Sequence, residues 1–115
     1  MTATNNQSKL TNRKDVRHRQ LSELSVIYEG FAEDRHVHPP DLSPQGMFIN
    51  TSTEYPQGAV LKLRFRLART GVIVETRGEV RYCLRGVGVG VEFVGISVEA
   101  VRAIEEEMAV ETEKS

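Results

Sequence analysis

The stretch Leu61-Lys62-Leu63-Arg64-Phe65-Arg66-Leu67 alternates apolar and charged side chains without a break. Successive side chains of a strand point to opposite faces, whereas a helix repeats every 3.6 residues. The stretch therefore predicts a half-buried strand with a basic outer face. Downstream, Val72, Val74, Thr76, Gly78, Val80, Tyr82 and Leu84 occupy the even face of a second long strand, whose odd face carries Glu75, Arg77, Glu79 and Arg81. Arg69-Thr70-Gly71 is spaced as a tight hairpin between the two, with Gly71 free to take positive φ. Leu84-Arg85-Gly86 makes the next turn, and Val87, Val89, Val91 and Phe93 form a final strand. Upstream, Leu24, Val26 and Tyr28 alternate with Ser25, Ile27 and Glu29 as a first strand. Residues 30–41 are polar and end on Pro39-Pro40, which confines them to an edge strand or a loop. Met47 to Asn50 follow Gly46 as a short strand.

The period changes after Phe93. Ser97 reads as an N-cap, with Glu99 placed favourably in the first turn. Val101, Ile104 and Met108 then make one narrow apolar stripe on an otherwise acidic helix of about 97–109. Such a helix must lay its stripe on something apolar, and the open end of a small barrel is a natural seat. The expected fold is all-β with a C-terminal helix, a six-stranded antiparallel β-barrel capped by one α-helix. Residues 13–109 would form this single domain. Residues 1–12 and 110–115 are expected to be disordered tails.

Composition narrows the function classes. A chain of 115 residues holds one modest core and little room for a deep catalytic cavity. Its apolar share of 39% and charged share of 27% are those of a globular protein with polar tails. No apolar run approaches the roughly 18 residues of a membrane span, and the first residues lack the apolar core of a secretory signal. No membrane partner is expected. Cys83 is alone and fits a reducing cytoplasm, which is the expected location. No Ser/His/Asp or Cys/His arrangement has supporting context, so no enzyme activity is expected. His36 and His38 share a strand face without a third donor, and neither a metal nor any other cofactor is expected. Gly86-Val87-Gly88-Val89-Gly90 is followed by no helix, so it reads as a strand whose glycines admit close approach. With seven aromatics and Phe65 and Phe93 read as buried, a polymer of nucleic acid lacks a stacking platform.

The net charge of −1 hides an asymmetry. Residues 9–19 carry +4, from Lys9, Arg13, Lys14, Arg17 and Arg19 against Asp15, while residues 99–114 carry −4. A basic arm points to an anionic partner. Within it Arg13 and Arg17 stand four apart, and guanidinium forks match both phosphate oxygens and the O6/N7 edge of guanine. The second cluster is Asp41-Leu42-Ser43-Pro44-Gln45-Gly46. Asp41 can accept from guanine N1–H and N2–H, Ser43 can donate to a phosphate or cap a backbone group, and Gly46 allows a turn and a close ligand. The same residue types also build an ordinary Asx or Ser turn before a strand.

Taken together and in this order, RxxxR in an N-terminal arm followed by DxSxxG ahead of barrel strands resembles the PilZ family of cyclic di-GMP receptors. The resemblance runs from about Arg13 to Met108 and includes Gly46-Met-Phe-Ile49 and Gly88-Val-Gly-Val-Glu-Phe93. It implies a six-stranded barrel with a C-terminal helix. It further implies that Arg13 and Arg17 grip phosphate and guanine of cyclic di-GMP, with Asp41, Ser43 and Gly46 completing the pocket. Arg17 stands eleven positions before Tyr28, slightly long for the family, and Arg19 would fit that spacing better. Its partner four earlier, however, is Asp15, so Arg19 is assigned an auxiliary role. The implied function is a ligand-ordered arm that signals through contacts with a protein partner. The alternative is a nucleotide-independent adaptor of the same fold, acting by protein–protein contacts.

Overall fold

The structure, a computed structural model, describes residues 22–114. Its elements in chain order are β1 (Ser22–Tyr28), β2 (Phe31–Val37), a 3₁₀ turn (Pro39–Asp41), β3 (Leu42–Ser43), β4 (Gly46–Asn50), β5 (Val60–Arg66), β6 (Ile73–Leu84), β7 (Gly88–Val94) and the helix α1 (Val98–Lys114). The strands make one antiparallel sheet in the order β2-β1-β5-β6-β7-β4-β3. The expected antiparallel barrel fold with its C-terminal helix is found, as a half-barrel of seven strands. The seventh strand is the two-residue β3, too short to show a period in the sequence.

The alternation read at Leu61–Leu67 is the burial pattern found. Leu61, Leu63, Phe65 and Leu67 are buried while Lys62, Arg64 and Arg66 are exposed. Facing them inside the curl are Leu24 and Val26 of β1, Val74 and Val80 of β6, Val89, Val91 and Phe93 of β7, and Met47 and Ile49 of β4. Each such side chain contributes about 1.5–3 kcal/mol on full burial. Phe65 and Phe93 stack across this core at 6.2 Å. The polar segment after Gly30 is an edge strand, joined to β1 through Glu29 and Gly30, both at positive φ.

Side chains draw the two margins of the sheet together. Arg35 of β2 donates through Nε to the Asn50 carbonyl of β4 at 2.9 Å. Glu33 of β2 accepts from the Thr51 hydroxyl at 3.0 Å and from the Tyr55 hydroxyl at 2.5 Å. Tyr55 is 2% exposed and Thr51 is 4% exposed, so these bonds satisfy polar groups that water does not reach.

Ser97 caps α1, its Oγ accepting from the Ala100 N–H at 3.0 Å. Ile104 is fully buried, with Ala100, Ala103 and Met108 packed beside it. Glu107 clasps the β5–β6 hairpin, accepting from the backbone N–H of Arg69 at 2.7 Å and of Thr70 at 3.2 Å. Residues 110–114, expected as a tail, continue the helix, since no Gly or Pro interrupts them. Among the described residues no helix is long and apolar enough to cross a membrane.

One reading of the alternation fails, and its failure shapes the surface. Tyr82 and Leu84, placed on the inner face of β6 by strict period two, are each 49% exposed. Val80 pairs with Val91 but Tyr82 pairs with Gly90, so Arg81 is an extra residue in β6. This bulge turns Tyr82 and Leu84 away from the core.

Candidate functional site

The bulge turns Tyr82 outward beside the Asp41–Gly46 turn. Phe48 of β4, Gly90 of β7 and Tyr82 of β6 stand in one row across three strands. A Cβ at Gly90 would collide with the Tyr82 ring, and one at Gly88 with the Phe48 ring and the Ile49 carbonyl. The two glycines thus let both rings lie flat on the strand between them. The rings stack with centroids 6.3 Å apart and planes 28° from parallel.

This aromatic surface borders a shallow depression of about 360 Å³, walled on the other side by Asp41, Ser43 and Gly46. Arg81 and Glu92 line it as well. Three sequence-predicted residues are therefore brought together. Asp41 ends the 3₁₀ turn and is half-buried, and its carboxylate makes no hydrogen bond or ion pair among the described residues. Its acceptor capacity is unspent.

Ser43 is partly spent. Its Oγ accepts from the N–H groups of Gln45 at 3.2 Å and Gly46 at 3.3 Å, which is the turn-forming reading of this residue. Its proton has only a long 3.4 Å contact to the Gly46 carbonyl, leaving the donor free to turn toward an anion. Gly46 is glycine for a reason other than turn freedom. Its φ is not positive, and a Cβ there would strike the Val91 carbonyl oxygen of β7. The close approach it permits is strand to strand.

Arg81, Tyr82 and Phe48 were not read as site residues. The bulge gives Arg81 a side chain over the depression, where Nε lies 3.3 Å from Glu92 and Nη1 3.6 Å from Glu79. Exposed pairs of this kind hold a guanidinium weakly, so an anion can recruit it. The alternating glycines of β7 were the available signal, because a bare strand face implies that something lies over it. Arg13, Arg17 and Arg19 lie outside the described residues. Among the described residues no group of three His, Cys, Asp or Glu side chains is placed to hold a metal.

A curled antiparallel sheet with a C-terminal helix, bearing an open polar and aromatic depression at the β3–β4 turn, defines a small barrel-type binding module. The PilZ domain model matches residues 11–109, and the chain belongs to that family. No curated protein matches it significantly. Among solved structures, the PlzA protein of Borreliella burgdorferi, in complex with c-di-GMP, has a similar fold, at 17% identity and a TM-score of 0.58. The match covers 78% of this chain and 35% of that one, so this chain spans about a third of PlzA.

Proposed function

We propose that this protein is a non-catalytic cytoplasmic receptor domain for cyclic di-GMP, in which the ligand orders the residue 9–19 arm and a protein partner reads the result. The observation that carries this reading is the unspent Asp41 carboxylate on a depression that also offers two stacked rings and a recruitable arginine. Asp41 accepts from the N1–H and N2–H of guanine, which excludes adenine. Tyr82 and Phe48 give the base a stacking surface, worth about 1–3 kcal/mol per base in comparable sites. Ser43 and Arg81 supply donors to phosphate.

The arm has the reach to complete the site. Ser22 pairs with Val37, four residues ahead of Asp41, so Ser22 lies within about 20 Å of Asp41. Paired antiparallel Cα atoms lie about 5 Å apart. Arg17 stands five residues before Ser22 and can span up to about 17 Å; Arg13, four further back, can span about 30 Å. A shallow site exposes the far side of a dinucleotide, and two guanidinium forks closing over it would present a new surface to a partner.

Titration calorimetry with cyclic di-GMP tests this. Binding is expected in the wild type, and Arg13→Ala or Arg17→Ala each weakens it by about 1–3 kcal/mol, roughly 5- to 150-fold. Wild-type affinity in both variants would refute the arginine assignment. No heat with the wild type would leave the nucleotide-independent adaptor as the better reading.

A further inference from the structure

The outer face of the sheet carries a charge arrangement that the ligand site does not use. Lys62 of β5 lies directly opposite Arg77 of β6, with Ile27 of β1 and Val94 of β7 completing the row on either side. Like charges directly opposite in a ladder repel, and an uncompensated pair lowers sheet stability. Arg64 has Glu75 at 2.9 Å, and Arg81 is held by Glu79 and Glu92. Among the described residues Lys62, Arg66 and Arg77 have no carboxylate partner. All three are exposed, as are Ile27, Val60, Ile73 and Val94 around them. Depressions of about 560 and 630 Å³ flank the Lys62–Arg77 pair, the first beside Arg64 and Gly95, the second beside Gly58 and Val60. On a face that also carries Glu23, Glu75 and Glu79, the Lys62–Arg77 row is basic, with apolar margins and relief enough to seat a segment.

The chain itself supplies the complement. Glu99, Glu105 and Glu106 of α1 are exposed, with Arg102 the one cation among them and Val98 an exposed apolar neighbour. Ile104 turns the opposite side of α1 into the core, so the helix sits inside the curl while the basic row faces out. No copy can lay its own helix on its own basic row. The helix is about 25 Å long and β5 about 23 Å, so the two match in length.

We infer that the outer face of β1, β5 and β6 docks the glutamate-rich helix of a second copy of this chain. The contact joins two different surfaces, so it is heterologous and either closes into a ring or extends head to tail. It does not depend on the ligand reading above.

Light scattering of the full chain in the absence of nucleotide tests it. At about 0.01 M salt, where the screening length is roughly 30 Å, the mass should rise above the 12.9 kDa of one copy as concentration increases. At about 1 M salt, with a screening length near 3 Å, it should return to one copy. The double variant Lys62→Glu/Arg77→Glu and the double variant Glu105→Lys/Glu106→Lys should each stay at one copy, with circular dichroism showing both folded. An equimolar mixture of the two should associate again, because each then meets the opposite charge. A single-copy mass at every salt concentration overturns the proposal, even if the protein then floats with anionic lipid vesicles. Association that survives reversal of Lys62 and Arg77 also overturns it and points to the basic arm instead.

Discussion

Two polar clusters interleave along the chain, Glu33 eight residues before Asp41 and Thr51 eight after Ser43, and they differ in what their polar atoms have left to give. At Glu33, Thr51 and Tyr55 every side-chain group is committed: one carboxylate takes two hydroxyl protons, and both hydroxyl residues are buried. At Asp41, Ser43 and Arg81 the groups are half-buried or exposed, and the contacts are absent, long or weak. The first cluster holds the 51–59 loop to the sheet margin. The second leaves bonding capacity open beside two aromatic rings. Composition alone would not separate them, since both are carboxylates with hydroxyl neighbours. Satisfaction does.

Removing Glu33 should widen that contrast most. Glu33→Ala strands the Thr51 and Tyr55 hydroxyls in a buried setting, at about 1–3 kcal/mol for each unsatisfied group. Denaturant unfolding should show a loss of about 3 kcal/mol, while the folded fraction keeps its affinity for cyclic di-GMP. Asp41→Ala should do the reverse. It should weaken cyclic di-GMP by about 2 kcal/mol, as lost base-edge contacts do, and shift the unfolding midpoint hardly at all. An equal loss of stability in this variant would mean that Asp41 is scaffold. Tyr82→Ala should cost about 1 kcal/mol in affinity, near the lower end for stacking, with little change in fold because half of the ring already faces water.

The smallest effect is a pH dependence. Burial first, and the Glu33 hydrogen bond second, raise the Tyr55 phenol above its ordinary 10.0. A folded-state value above the unfolded one stabilises the fold fully below about pH 10. That contribution falls away as pH rises past 10, where the unfolded phenol ionises and the folded one does not. Thermal melts from about pH 8 to 11 should show an alkaline decline that is shallower in Tyr55→Phe. Identical slopes in the two proteins would remove Tyr55 from the account.

The strands were legible wherever one face is buried and the other wet, since period two then survives in the residues themselves; Leu61–Leu67 is the plainest case. The helix start was legible because Ser97 is a local cap, needing only the next turn for its bond. The Asp41–Gly46 turn was legible for the same reason. What stayed hidden depends on register. Arg81 becomes a bulge residue only because Val80 and Tyr82 pair with adjacent positions of β7, and no local pattern in β6 announces that. Phe48 and Tyr82 are 34 residues apart and meet across a third strand. The Glu107 clasp joins residues 37 and 38 apart, through backbone amides that carry no residue identity.

That clasp has a consequence for engineering the chain. Hairpin tips are ordinarily where a tag, a fluorophore loop or new termini can be inserted with least harm. Here the Arg69–Thr70 tip is also the hook on which the closing helix hangs, so a graft at that point should unfasten α1 and bare the apolar seat of Ile104.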